Sequence, residues 1–488
     1  MSKAPPSSDT TPDDQGGKDP KAGSMAVISV LGLGSQQFAA LMMTLLAAAT
    51  LSAAEYGVYT LAVVFAEFVV MLTYTGFFHY VINADEDEDR LLPTVFWIMV
   101  SIGAVGGALI GVNAALIAQA FDAPQLTLVL QLLAILQPFG AMIGWCTAVL
   151  TRHGKMKPYF LCIGFSNLGA LALGAATLMI WPSVLALVLY RAARIALCLF
   201  SMCWVMPTGP RLRFDVQLAR RAARFAWGLY GSASLKFVSN FGADLMLAWF
   251  LSTAEAGLYR FANRLAFAAS SLVTQPLNAF ALKKFGRASR QGKDISAILA
   301  QFFAASIVLV GGVAMTIVVL GDQLVTALFR PEFSAATFAI VMMALRSAFS
   351  VGHNLIGPVF SALHRNATGM AYNLVVAALM VVVIPAFAPF GLNAMATATT
   401  MVQLFSIPFA LFVIARWGQL DIGPALRDGT TALGLVACYS AVLFALSFQF
   451  NLGSAMLTVN AALAVLLGAI TVLLAVRFQV LKPEILTR

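Results

Sequence analysis

The chain has 488 residues, of which 60% are hydrophobic and only 10% charged, with a formal net charge of +9. Soluble domains average about 45–50% apolar and about 25% charged residues, and a soluble protein of this size could not cover itself with so few charges. A soluble globular enzyme, a disordered protein and a secreted disulfide scaffold are therefore excluded, and an all-α polytopic membrane protein is expected.

Residues 1–23 are rich in Pro, Ser, Asp and Gly and show no apolar period, so they read as a disordered cytosolic tail. They lack the basic-then-apolar order of a signal peptide. Apolar runs follow, and a membrane-crossing helix needs about 20 residues. Fourteen spans are predicted, near 24–50, 56–83, 92–120, 127–151, 158–180, 184–206, 223–250, 256–282, 295–319, 334–360, 368–388, 391–415, 429–449 and 455–476. Helices pair their own backbone polar groups inside a bilayer, and the short alternating segments of a β-barrel do not occur. The expected organisation is a six-helix lobe over 24–206, a basic cytosolic linker over 207–222, a second six-helix lobe over 223–415, and two extra helices with a cytosolic tail over 416–488. With the N-terminus inside, 23 of the 30 Lys and Arg residues fall on the inner side and one, Arg330, on the outer side. That asymmetry predicts two cytosolic termini. Orientation explains most of the net charge, so no nucleic-acid partner is expected.

The second span opens LSAAEYGVYTLA at residues 51–62, and the eighth opens LSTAEAGLYRFA at 251–262. Seven of the twelve positions match, among them Glu55 with Glu255, Gly57 with Gly257 and Tyr59 with Tyr259. A weaker echo pairs the exit of the fourth span, AVLTRHGK, with that of the tenth, FSALHRNA, each carrying an Arg (Arg152, Arg365) at its cytosolic end. Six helices return the chain to the side it started from, so the repeats are parallel. Transporters of this kind bind substrate between their halves and rock between two open states.

The L-S-x-A-E-x-G-x-Y-x-x-A turn and the Arg-x-Gly-Lys loop at 152–155 resemble the polysaccharide-exporter branch of the multidrug/oligosaccharidyl-lipid/polysaccharide flippase superfamily. The fourteen-helix layout agrees, over residues 24–476. The resemblance implies translocation of an undecaprenyl-diphosphate-linked oligosaccharide across a bacterial inner membrane for O-antigen, capsule or exopolysaccharide assembly. Its partners would be that lipid, the surrounding membrane lipids and other polysaccharide assembly proteins. A monomer without a cofactor is expected.

Charges inside a membrane mark a pathway or a site. Six cations lie within spans, Arg191, Arg194, Lys236, Arg260, Arg264 and Arg346, against two acids, Glu67 and Asp244. Lys236, Asn240 and Asp244 recur at i, i+4 and i+8, and Arg260 and Arg264 at i and i+4, so each set shares a helix face. A central cavity lined by helices one, two, seven and eight is expected, with Gln36, Gln37 and Glu67 on the first-half side. Lys236, Asn240, Arg260, Arg264 and Arg346 are the candidate substrate contacts, because guanidinium forks match phosphate oxygens. Glu67 and Asp244 are candidates for coupling a proton or pairing an Arg. Arg191 and Arg194 could instead hold helix six to a neighbour. The lipid tail is expected against the last two helices.

Other groups have plainer expectations. The run Asp-Glu-Asp-Glu-Asp at 85–89 reads as a solvated loop. The basic stretches 211–224 and 283–293 fix orientation and touch anionic lipid. His79 and His353 read as hydrogen-bonded structural groups. The five cysteines sit in apolar runs as small hydrophobes, and neither they nor the four histidines suggest a metal site. Two alternatives compete. An ion-coupled multidrug or cation extruder would favour acids in its lumen. A membrane polysaccharide polymerase would need a catalytic outer face, yet the longest outer loop, about 320–333, lacks the paired acids to build one. A GxxxxGK[ST] phosphate cradle is absent, so ATP is not the direct energy source and a non-enzymatic carrier is expected.

Overall fold

The computed structural model describes residues 20–292, 294–449 and 456–477. The first half comprises α1 (Pro20–Thr50), α2 (Ala53–Tyr74), α3 (Phe77–Asn83), α4 (Glu88–Val112), α5 (Ala114–Ala120), α6 (Gln125–Ile135), α7 (Gln137–Arg152), α8 (Met156–Ile180) and α9 (Val184–Val205). The second comprises α10 (Val216–Phe250), α11 (Thr253–Arg290), α12 (Ile295–Leu328), α13 (Thr337–Phe349), α14 (Val351–Ala362), α15 (Asn366–Phe387) and α16 (Leu392–Gly418). Two further helices follow, α17 (Gly423–Gln449) and α18 (Met456–Arg477). Among the described residues there is no strand.

Among the described residues twelve helical stretches are long and apolar enough to cross a membrane, three of them built as two α-helices in series, α2–α3, α6–α7 and α13–α14. The other two predicted spans fall on α1 and α10. The latter carries Arg220, Arg221, Arg224, Lys236 and Asp244, which lower its hydropathy.

Several boundaries differ from expectation. Helix α1 starts at Pro20, ahead of the expected 24; proline suits the first helical position because its missing N–H has no partner there. The rest of the expected N-terminal tail, residues 1–19, and the last residues, including Lys482 and Arg488, lie outside the described residues. Half of the expected linker is helix, because the Asp215 side chain accepts hydrogen bonds from the Gln217 and Leu218 N–H groups at 2.9 and 3.1 Å and starts α10 there. The basic stretch 283–290 continues α11, and most of the expected outer loop 320–333 continues α12, followed by a 3₁₀ turn over Pro331–Ala336.

Consecutive crossings put the connections at two ends. One end carries the α1–α2, α10–α11 and α12–α13 connections; we call it the turn end. The other, the linker end, carries the α3–α4, α7–α8 and α9–α10 connections. At the turn end a single apolar core draws on both halves, with Leu61, Leu126 and Leu187 beside Leu247, Phe261 and Ile340. At the linker end there are two separate cores, one around Phe77, Trp145 and Met202 and one around Phe285, Phe302 and Phe360. The halves thus share one core at the turn end, whereas the linker end has two cores, the first of which also takes in Leu218, Ala222 and Ala226 of α10. Outside these cores the skin is apolar, with Val112, Leu173, Ile180 and Phe405 exposed, as a lipid-facing surface requires. Cys146, Cys162 and Cys198 are buried as expected, whereas Cys203 and Cys438 are exposed.

The acidic run is not a free loop. Glu86 pairs with Arg221 at 2.8 Å, Glu88 with Arg152 at 2.8 Å and Asp89 with Arg211 at 2.6 Å. Arg90 pairs with Asp215, and the Trp97 indole N–H donates to the Arg211 carbonyl at 3.1 Å. The acids dock the linker onto the start of α4, because five adjacent carboxylates repel one another unless cations answer them.

Candidate functional site

The repeated turn is a packing device. Ser52 and Ser252 cap α2 and α11 by accepting from the N–H groups of Glu55 and Glu255, both at 3.2 Å. The Glu55 carboxylate returns to the Ser52 N–H at 3.0 Å, closing a capping box, while Glu255 reaches across to accept from the Leu392 N–H at 3.2 Å. One turn further on, the two helices cross back to back. A Cβ on Gly57 would stand 1.8 Å from the Thr253 carbonyl oxygen, and one on Gly257 2.5 Å from that of Ala53. Only glycine permits that approach. Tyr259 is buried in the core beside this crossing, and Tyr59 faces a cavity.

The loop echo holds in a shifted register. Gly154 and His364 both take the left-handed conformation, with φ of 67° and 56°. The next residues, Lys155 and Arg365, donate their N–H groups to the Leu150 and Phe360 carbonyls, each at 2.9 Å. Arg365 is therefore the counterpart of Lys155, and the expected match to Arg152 is off by three residues; helix ends align by hydrogen-bonding geometry rather than by side-chain identity. Arg152 donates to the Val81 and Ala84 carbonyls at 2.7 and 2.8 Å, and Arg365 donates to the Trp417 carbonyl. Each arginine ties two helix ends together.

The expected single central cavity is two chambers that share Tyr74 in their walls. The larger, about 830 Å³, takes Lys236 and Asn240 from α10 and Arg346 from α13. His79, His353, Asn366, Asn373 and Gln403 join them. The smaller, about 540 Å³, takes Gln36, Gln37 and Glu67 from the first two helices and Arg260 and Arg264 from α11, as expected. Arg191 and Arg194 of α9 line it too. The five expected contacts are therefore divided: Lys236 and Asn240 line one hollow with Asn373, Ala377 and Met380 of α15, and Arg260 and Arg264 line the other.

Both acids within spans are paired. Glu67 accepts from Arg191 at 2.8 Å, and the fully buried Asp244 pairs with Arg260. Arg260 also lies over the Phe241 ring, 4.8 Å from its centroid. Asp244 and Lys236 do not pair with each other. Among the described residues Arg194, Arg264, Lys236 and Arg346 make no ion pair, and no cluster of three metal-ligating side chains occurs. Each chamber thus presents unneutralised cations to its interior. Sequence reading left Arg191, Arg194 and His353 out of the site. The i, i+3 spacing of the arginines was the available signal; His353 had none, since its chamber is built by seven helices, α2, α3, α10, α13, α14, α15 and α16, many of them distant in the chain.

A third hollow, about 510 Å³, is an apolar groove between α11, α12 and α18, with Leu265, Leu309, Leu320, Ala464 and Val472 in its walls. Helix α18 is held beside it by Asn460, whose side-chain N–H donates to Gln323 at 2.9 Å.

Against this geometry stand the likenesses to known proteins. A family model described as polysaccharide biosynthesis protein matches residues 46–338. The succinoglycan biosynthesis transport protein ExoT of Rhizobium meliloti (strain 1021) is 22% identical over 300 residues, 60% of this chain and 60% of that relative's length. Among solved structures, the lipid II flippase MurJ in an inward closed conformation matches with a TM-score of 0.74 at 12% identity, covering 93% of this chain and all of that one. An inward-facing multidrug resistance MATE family transporter of the MOP superfamily matches with a TM-score of 0.62 at 9% identity, over 80% of this chain and 98% of its own. At such identities the likeness to MurJ and to the MATE transporter concerns the fold.

Proposed function

Because the chain belongs to the polysaccharide biosynthesis protein family, whose model spans residues 46–338, we propose that it carries an undecaprenyl-diphosphate-linked oligosaccharide across the bacterial inner membrane. It does so by alternating access between the lobes 24–206 and 223–415. The observation that carries this reading is the pair of chambers with unneutralised cations at membrane depth, flanked by an apolar groove. An anionic headgroup needs the first and a polyprenyl tail the second. In this reading Arg264 and Arg194, with Arg260 and Arg191 held by their acids, receive the diphosphate as forked donors. Lys236, Asn240 and Arg346 contact the glycan, and the groove beside α18 takes the start of the tail. Glu67 and Asp244 hold arginines in place.

The linker end, rich in Arg and Lys, faces the cytosol with both termini. The separate cores at that end and the shared core at the turn end correspond to a state open toward the cytosol. The protein acts as a monomeric carrier without a cofactor, alongside the other proteins of polysaccharide assembly, and catalyses no covalent step. The extruder reading is disfavoured, since both acids within spans are already engaged by arginines and, among the described residues, no unpaired carboxylate lines either chamber for a cationic drug.

The test is replacement of Arg264 by Ala and by Lys, with glycan export and membrane insertion measured together. Loss of export with normal insertion is expected for Arg264→Ala, and partial retention for Arg264→Lys. Export that survives single neutralisation of Arg264, Arg194 and Arg346 in turn would defeat the reading.

A further inference from the structure

We propose that the transported glycan is itself acidic, and that Lys236 and Arg346 receive its carboxylate; the proposal rests on the flippase reading. The two chambers are built differently. The smaller gathers four arginines, Arg191, Arg194, Arg260 and Arg264, against Glu67 and Asp244. The surplus of two positive charges matches a diphosphate, whose oxygens suit guanidinium forks. The larger chamber is walled by amides and hydroxyls, Asn240, Asn366, Asn373, Gln403, Ser232 and Ser239. Those groups suit sugar hydroxyls, and a neutral glycan would need nothing more.

Yet the same wall holds two cations and no Asp or Glu among the described residues. Lys236 sits near the middle of α10 and Arg346 in the last turn of α13, where that helix gives way to α14 halfway through the crossing. Arg346 Nη1 has the Met343 sulfur at 3.8 Å as its hydrogen-bond acceptor. Like charges facing one hollow repel. In the smaller chamber two of the four cations are answered by carboxylates of the protein. In the larger one no protein carboxylate answers either cation, so the compensating anion comes with the cargo. The diphosphate already has its place, so this second anion belongs to the glycan, carried as a uronic acid or an acidic substituent.

The experiment uses the full-length protein in liposomes and two fluorescent polyprenyl-diphosphate oligosaccharides that differ by one hexose against one hexuronic acid. A charge-assisted contact is worth about tenfold, and the wild type is expected to translocate the acidic probe about tenfold faster at limiting concentration. Lys236→Gln and Arg346→Gln bring the acidic-to-neutral ratio close to one, Lys236→Arg keeps it, and Arg264→Gln slows both probes while keeping it. Equal rates for the two probes in the wild type would overturn the proposal and leave the flippase reading intact, as would Lys236→Gln slowing both probes in equal proportion. A wild type that moves neither probe would defeat the flippase reading, and this inference with it.

Discussion

Gly57 and Gly257 hold the molecule together by what they lack. Each is the only residue type whose backbone can lie against its partner's, and the 1.8 Å approach calculated for a Cβ at Gly57 leaves no rotamer to absorb a methyl group. Gly57→Ala forces α2 and α11 apart, an overpacking penalty of about 1–3 kcal/mol, and is expected to lower the thermal midpoint of the detergent-purified protein. Gly209→Ala, at a position with nothing within 4 Å, should not. Both glycines stood out in the sequence as matched positions of the repeat. Their role was not legible there, since a match says that two sites are alike and not that they touch. Glu67 was open between a coupling proton and an ion pair for the same reason. Arg191 lies far along the chain, and only packing brings it to 2.8 Å.

Helix α10 begins where it does because Asp215 caps it and the acidic run holds the segment before it. The Leu218 N–H, with Arg90 beside it, keeps the Asp215 carboxyl below the usual carboxylate range. A group depressed in this way contributes stability above its unfolded-state pKa and loses it as the pH falls through its lower folded value, so the cap is fully charged at neutral pH. Asp215→Ala removes the cap, and limited proteolysis should then cut faster between 206 and 215. Arg221→Glu should loosen the same segment, and adding Glu86→Arg should restore it. The effect is modest, since exposed pairs are worth about 0.2–1 kcal/mol, and high salt should mask it. At this scale most helices were legible from apolar runs of the right length. Their ends were not, because ends depend on caps, and the acidic run and its cations were each visible without their pairing.

For the molecule as a whole, in the proposed reading the shared core at the turn end and the split cores at the linker end correspond to one state of an alternating carrier. The chambers should therefore be reached by water from the linker side. In a chain whose exposed Cys203 and Cys438 are replaced by Ser, a cysteine introduced at Ser239 should react with an impermeant maleimide in inside-out vesicles and not in right-side-out cells. The reverse pattern would mean that the open face has been assigned to the wrong side of the membrane. Disulfide cross-linking of the two halves to each other at the turn end should hold this state and stop export.

Composition and the period of the apolar runs determined the solvent this protein folds in and the order of its crossings, because a lipid environment forces every backbone polar group into a local helical bond. The 200-residue repeat likewise announced two related halves. Which charges meet was decided elsewhere. Lys236 and Arg260 lie close in sequence yet enter different chambers, while Arg191 and Glu67, far apart, share one. Helical periodicity sets the face on which a side chain leaves its own helix, but only the packing of one helix against others sets what that face looks upon.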